Sequence, residues 1–163
     1  MVYTGRMNTI VICSSANFYR QAVDLQEELE KLGYKVVVPV TASRMKESGD
    51  FDVEHYKTWF ADASDYHKKA KLMRQHFDEV TAGDAILVLN YEKRGKQNYI
   101  GGNVLMEMCL AFYHHKPIFV INDMPEDSPF AEEILGMQPT FLHGKVADLA
   151  VHYDEAAKTA QNT

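Results

Sequence analysis

The sequence predicts an α/β fold: a doubly wound, mainly parallel five-stranded sheet with helices on both faces, flavodoxin-like or Rossmann-like in plan. Three observations predict it. The runs at residues 9–13 (TIVIC), 85–90 (AILVLN) and 117–122 (PIFVIN) are short, apolar and rich in β-branched residues. They do not alternate with polar residues, which is the pattern of strands buried on both faces of a parallel sheet. Helical patterns separate them, and residues 9–40 read as strand, helix, strand, a unit whose crossover is right-handed.

Each element has its own signal. After the first strand, residues 14–17 (SSAN) form a small polar turn. Residues 18–32 follow as a helix with Ala22, Leu25 and Leu29 on one stripe, and Gly33 stops it. Residues 34–40 (YKVVVPV) make the second strand, with Pro39 marking its end or a place near the sheet edge. Residues 41–52 are polar, and the whole stretch 41–65 reads as a lid-like excursion. Within it, residues 53–63 predict a helix carrying Tyr56, Trp59 and Phe60. Residues 65–80 predict a further helix with Ala70, Met73 and Phe77 on one face. The break at residues 82–84 (AGD) introduces the third strand.

Residues 91–102 form a glycine-bearing loop before a helix at 103–114. A fourth strand at 117–122 leads to a short helix at 130–137. A fifth strand is expected at 139–142, then a short strand or helix at 146–152. The polar tail, 154–163, is expected to fray. Residues 1–163 thus read as one α/β domain.

Composition narrows the function classes. Of the 163 residues, 46% are hydrophobic and 25% charged, as in an ordinary folded domain. The balance of 17 basic against 23 acidic residues gives a formal charge of -6. Gripping long nucleic acid needs a concentrated basic face, so that class is excluded, while a small anionic ligand is compatible with a locally positive site. The N-terminus lacks a signal-peptide pattern and no run reaches a membrane span, so a cytoplasmic protein without membrane partners is expected. Cys13 and Cys109 sit in apolar runs and read as small core residues in a reducing compartment.

The carboxyl ends of the strands are where such sheets bind ligands. The most informative residue there is Glu107, the only charged side chain in IGGNVLMEMCLAFY, residues 100–113. Apolar residues on nearly every face predict a largely buried helix. A buried carboxylate is costly unless paired or hydrogen-bonded. Placed in the second helical turn, with Asn103 as N-cap, it suits nucleophilic attack on an electrophilic carbon. The alternative is an anchor for a neighbouring loop.

Gly101 and Gly102 permit close backbone approach to a ligand at the start of that helix; a loop needing positive φ is the alternative. Ser14, Ser15 and Asn17 are placed to hold a phosphate or sugar hydroxyl, or simply to cap the helix. Phe18 offers a ring to stack on a base, and Arg20 a partner for phosphate. Asp78 lies on a charged helix and reaches a ligand only if that helix lies over the mouth of the sheet. Asp84 reads as a tie at the strand entrance. The spacing matches neither P-loop nor dinucleotide fingerprint, and the histidines show no metal-ligand spacing, so no cofactor and no metal are expected.

The segment GDAILVLNYEKRGKQNYIGGNVLMEMCLAFYHHKPIFVIN resembles the core of the nucleoside 2-deoxyribosyltransferase-like superfamily, which includes deoxyribosyltransferases and nucleoside 5′-monophosphate N-glycosidases. The elements that carry the resemblance are Asp84, the strand 85–90, Gly101-Gly102, Glu107, Ala111 and Lys116-Pro117, and it extends over residues 8–142. The resemblance implies that Glu107 attacks C1′ of a sugar as the base departs, the logic of retaining glycoside chemistry. It also implies a homodimer or higher homo-oligomer, with residues 133–139, and Met137 in particular, reaching a neighbouring site. Transferases of the family carry an aspartate shortly before the glutamate. Here only Glu92 lies between Asp84 and Glu107, so Tyr99, Asn98 and Asn103 are the hydrogen-bonding groups available. The expected activity is cleavage or transfer at the N-glycosidic bond of a nucleoside or nucleotide. The alternative is a nucleotide-binding or sensing module without catalysis.

Overall fold

The structure is a computed structural model that describes residues 7–163. The strands are β1 (Thr9–Ser14), β2 (Lys35–Val37), β3 (Ala85–Leu89), β4 (Ile118–Val120) and β5 (Thr140–Phe141). The helices are α1 (Tyr19–Lys31), α2 (Val40–Ser48), α3 (Tyr66–Ala82), α4 (Gly102–Tyr113), α5 (Ala131–Gly136) and α6 (Asp148–Gln161). The sheet order is β2-β1-β3-β4-β5, and every pair is parallel. The expected doubly wound fold is therefore the fold of the chain.

Strand periodicity sorts the core into two layers. Ile10 and Ile12 face a layer with α1 residues Ala22, Leu25 and Leu29 and α6 residues Leu149 and Ala156. Val11 and Cys13 face the other way, toward Val80 of α3, Val104, Met108 and Ala111 of α4, and Ile134 of α5. Successive side chains of a strand point to opposite faces, so Cys13 is committed to the α3–α4 side. The chain order departs from the spatial order between β1 and β3, where Cys13 pairs with Val88 and Ser14 with Leu89. That switch point is where open α/β sheets take ligands.

Several local expectations are met. Gly33 closes α1 at φ +91°, with the Tyr34 N–H donating to the Leu29 carbonyl at 3.1 Å. β2 is an edge strand and Pro39 lies just past its end. Asp84 ties the strand entrance, its Oδ2 accepting from the Thr9 N–H at 2.8 Å.

Other segments differ, each for a physical reason. The polar stretch after β2 contains a helix, α2, because Ala42 and Met45 bury a narrow stripe and Gly49 ends it at φ +72°. The helix expected at 53–63 is replaced by single 3-10 turns at Val53–His55, Thr58–Phe60 and Ala63–Asp65. Asp52 accepts from the Glu54 N–H at 3.0 Å and Asp62 from the Ser64 N–H at 2.9 Å. Such local side-chain bonds compete with the helical ladder.

The tail is helical through Gln161 rather than frayed. Tyr153 stacks on Phe119 (5.9 Å) and on Tyr34 (6.1 Å), and Gln161 donates to the His115 carbonyl at 3.1 Å. Finally, α4 is not apolar-buried all round. Met106, Cys109, Phe112 and Tyr113 form an exposed stripe, with Tyr113 77% exposed. Cys109 is thus a surface thiol, in contrast to its expected core role. Among the described residues no helix is long and apolar enough to cross a membrane.

Candidate functional site

The site is a cavity of about 70 Å³ beyond the carboxyl ends of β1, β2 and β3. Ala16 and Tyr19 line it from the turn after β1, and Pro39, Val40 and Thr41 from the end of β2. Its floor is Glu107 and Asn103 of α4, and one wall is Lys69, Met73, His76 and Glu79 of α3. Val53, Tyr56, Lys57 and Trp59, from the excursion after α2, close the remaining side.

Glu107 is 2% exposed and sits on the inner face of α4 with Val104, Met108 and Ala111. Its two oxygens differ. Asn103, one helical turn earlier, donates from Nδ2 to Oε1 at 2.7 Å. The i,i+4 spacing puts both side chains on one face of the helix. Oε2 has no hydrogen-bond partner among the described residues. Its near neighbour is His76 Nε2 at 3.8 Å, too long for a hydrogen bond. Asn103 Oδ1 in turn accepts from Lys69 Nζ at 3.1 Å, and Lys69 lies 5.9 Å from the Trp59 ring centroid.

His76 is itself 7% exposed and hydrogen-bonds through Nδ1 to Glu79 Oε2 at 2.8 Å. Cys13 reaches the same place from β1. The ligand-type atoms of Cys13, His76 and Glu107 all lie within 4.8 Å of one another.

Burial pushes the Glu107 carboxyl above its ordinary range, and the charge on His76 is the main opposing influence, helped by Cys13, Lys69 and Asn103. Burial pulls His76 down, but its bond to Glu79 and the charges of Glu107 and Glu79 outweigh this and leave it raised. The Tyr19 phenol is pushed up by burial and by the Glu107 charge. The buried Cys13 thiol is pushed well up, by burial first and Glu107 second. The cavity is therefore a low-dielectric place where protonation states are tightly coupled.

The mouth is basic. Lys57 is pulled down by burial and then by the positive charges of Lys93, Lys69 and Arg94. Lys93 Nζ also donates to Ser15 Oγ at 2.8 Å. A protein of charge -6 thus places Lys57 and Lys69 in the lining of the cavity, with Lys93 and Arg94 near Lys57.

The sequence-predicted residues divide clearly. Glu107 and Asn103 meet in the cavity, and Ser15 sits beside it on Lys93. Asn103 is a working hydrogen-bond bridge, with Gly101 rather than Asn103 at the N-cap position. Gly101 and Gly102 have ordinary negative φ or helical backbone, and a Cβ at Gly101 would lie 2.9 Å from the Tyr99 hydroxyl. Tyr99 carries Lys93 over its ring at 4.8 Å and lines a separate surface cleft.

Others stand outside the cavity. Ser14 is buried with its Oγ unpartnered. Asn17 and Arg20 line a different cleft, where Arg20 stacks over Phe51 at 4.2 Å. Phe18 is buried edge-on against Tyr91 at 5.6 Å, so its ring is core rather than a platform for a base. Asp78 is exposed, because the face of α3 that meets the cavity carries His76 and Glu79 instead. Met137 is buried against α4 and α5 and lines a cleft with Phe112 and Gln138, away from this cavity.

Sequence reasoning missed Lys57, His76 and Glu79, and offered Tyr19 only as an aromatic able to stack on a base and Lys69 only as part of a solvated basic run. A signal existed for part of this set. Lys69, Met73, His76 and Val80 recur at helical spacing on α3, so a polar member on an otherwise inward stripe marked His76. Against known proteins, the chain matches no family model and no curated sequence.

Proposed function

We propose that this protein cleaves or transfers the N-glycosidic bond of a nucleoside or nucleotide, with Glu107 as the nucleophile. The observation that carries this reading is the asymmetry of one carboxylate. Glu107 is buried on the floor of a cavity, one oxygen held by Asn103 at 2.7 Å and the other without a partner. An oriented, desolvated carboxylate with a free lone pair is what attack at a sugar carbon requires. Oε2 bonds to C1′ as the C1′–N bond breaks and the electron pair leaves with the base. Water or a second base then displaces the carboxylate with retention. Charge on His76 lowers the Glu107 carboxyl against the effect of burial and so favours the ionised nucleophile.

Lys57 and Lys69 in the cavity lining, with Lys93 and Arg94 near Lys57, favour a substrate bearing an anionic group, a 5′-monophosphate over a free nucleoside. A cavity of about 70 Å³ is smaller than the ~150 Å³ that accommodates benzene. The residue 41–65 segment must therefore move outward for substrate to enter. The exposed apolar stripe on α4 supports a second copy of the chain as its cover, and two unpaired cysteines fit a reducing compartment.

The test is incubation with a panel of nucleosides and 5′-monophosphates, ribo and deoxy, following free base by chromatography. Base release is expected, absent in Glu107→Ala and lowered about 100-fold in kcat in Asn103→Ala, which leaves the nucleophile unoriented. Nucleotide binding without base release would instead establish a sensing module. That second reading is favoured by one feature, the absence of any acid but Glu92 between Asp84 and Glu107.

A further inference from the structure

Two buried polar atoms in this molecule point at each other without bonding. His76 Nε2 and Glu107 Oε2 are 3.8 Å apart, and neither makes a well-formed hydrogen bond among the described residues, the Ile12 carbonyl lying near the one and the Cys13 thiol near the other. Leaving such groups unsatisfied in an apolar interior is costly, and native structures rarely tolerate it. Cys13 stands on the third side. Its thiol lies 3.9 Å from the Val11 carbonyl of its own strand and faces the Glu107 carboxylate. The three ligand-type atoms lie within 4.8 Å of one another, and all three residues are buried.

We propose that Cys13, His76 and Glu107 bind one thiophilic divalent metal ion of the zinc type, and that the bound ion shuts off Glu107 as a nucleophile. Metal–ligand bonds of about 2.0–2.3 Å in a tetrahedron set ligand atoms roughly 3.3–3.6 Å apart. The observed separations reach that arrangement by inward side-chain shifts of about an ångström. One sulfur, one imidazole and one carboxylate form a donor set for zinc or cobalt rather than for magnesium or calcium.

The outer ring of the site is also present. The other nitrogen of His76 is hydrogen-bonded to Glu79 at 2.8 Å, which fixes the ring with Nε2 facing the cluster. The other oxygen of Glu107 is held by Asn103 at 2.7 Å. A histidine backed by a carboxylate is the usual second layer of such sites. His76 and Glu107 both line the cavity, so an ion reaches the cluster by the substrate's route. On binding, the Cys13 thiol releases its proton to solvent and coordinates as thiolate, and any proton held on His76 Nε2 or the Glu107 carboxyl is released to solvent with it.

Metal binding stands on the cluster alone; its inhibitory effect rests on the reading of Glu107 as the nucleophile. The experiment uses the full chain with Cys109→Ser, which removes the exposed thiol. Cobalt(II) is titrated in and the near-ultraviolet sulfur-to-cobalt charge-transfer band recorded. A band that saturates at one equivalent and is displaced by zinc is expected. It should vanish when Cys13→Ala is added, with folding checked by circular dichroism and Cys13→Ser measured as a second variant. Glu79→Gln should weaken zinc binding by about 10–100-fold while keeping the band. Exposed histidine and carboxylate pairs elsewhere give no such band, because they offer no sulfur. Absence of the band, or its persistence in both folded Cys13 variants, overturns the site. Where base release is measurable, zinc should suppress it, and a chelator should restore it; persistence at saturating zinc overturns the inhibition. A cobalt band in a protein that releases no base from any substrate would keep the metal site and reject the glycosidic reading.

Discussion

Glu107 and Asn103 act as a pair because four residues of α-helix bring their side chains to one face. That relation is local and visible in the sequence. The third and fourth members, His76 and Cys13, come from α3 and β1 and have no fixed spacing to Glu107. A different residue governs how close α3 sits. Gly83 follows α3, and a Cβ there would lie 2.5 Å from Val11 Cγ2, beside Cys13's own strand face. Its backbone is ordinary, so the requirement is space and not conformation. Gly83→Ala should lower stability by about 1–3 kcal/mol, as overpacking does, read as a fall in thermal midpoint. An unchanged midpoint would show that α3 can shift freely. Phe18 and Asp78 teach the same lesson from the other side: packing buries the Phe18 ring against Tyr91, and the phase of α3 leaves Asp78 on the surface.

At the scale of elements, the strands and the helices α1, α3 and α4 were legible because their apolar periods are strong. The excursion was not, since Asp50, Asp52 and Asp62 bind nearby backbone N–H groups and break the helical pattern. This segment carries the chain's single tryptophan, Trp59, buried against the cavity beside Lys69. Its emission is therefore a clean probe of opening. Saturating nucleotide should change the Trp59 fluorescence, and an unchanged spectrum despite measured binding would rule out movement of the segment.

The last helix makes a separate prediction. Burial, then Asp84 and nearby groups, push the Tyr153 phenol up to about 12. An unfolded tyrosine ionises near 10. As pH rises from about 10 to 12 the unfolded chain loses this proton first, so stability present below that window should fall through it. Tyr153→Phe should show a shallower fall of thermal midpoint with pH over the same window.

For the whole molecule, net charge and function separate. The chain is acidic overall, while Lys57, Lys69, Lys93 and Arg94 come near one another from the excursion, α3 and the loop after β3, and the first two line the cavity. Replacing Lys57 or Lys93 with alanine should raise KM for 5′-monophosphates more than for nucleosides, measured by base release. The exposed stripe of Met106, Cys109, Phe112 and Tyr113 belongs to the same scale. Light scattering should show a homo-oligomer, and Met106→Glu should shift it toward monomer. A monomeric parent chain would remove the second copy from the proposal.

The sequence by itself determined the parallel α/β architecture, the order of the main elements and the prominence of Glu107. Those features rest on period, on β-branched runs and on a charge among apolar residues, all short-range patterns. Only the tertiary structure decided which side chains surround that carboxylate. Strand alternation turns Cys13 to the α3–α4 face, the phase of α3 turns His76 and Glu79 inward and Asp78 outward, and the excursion folds back to close the cavity. Each depends on how distant segments pack together, and packing direction is not written in the spacing of any one segment.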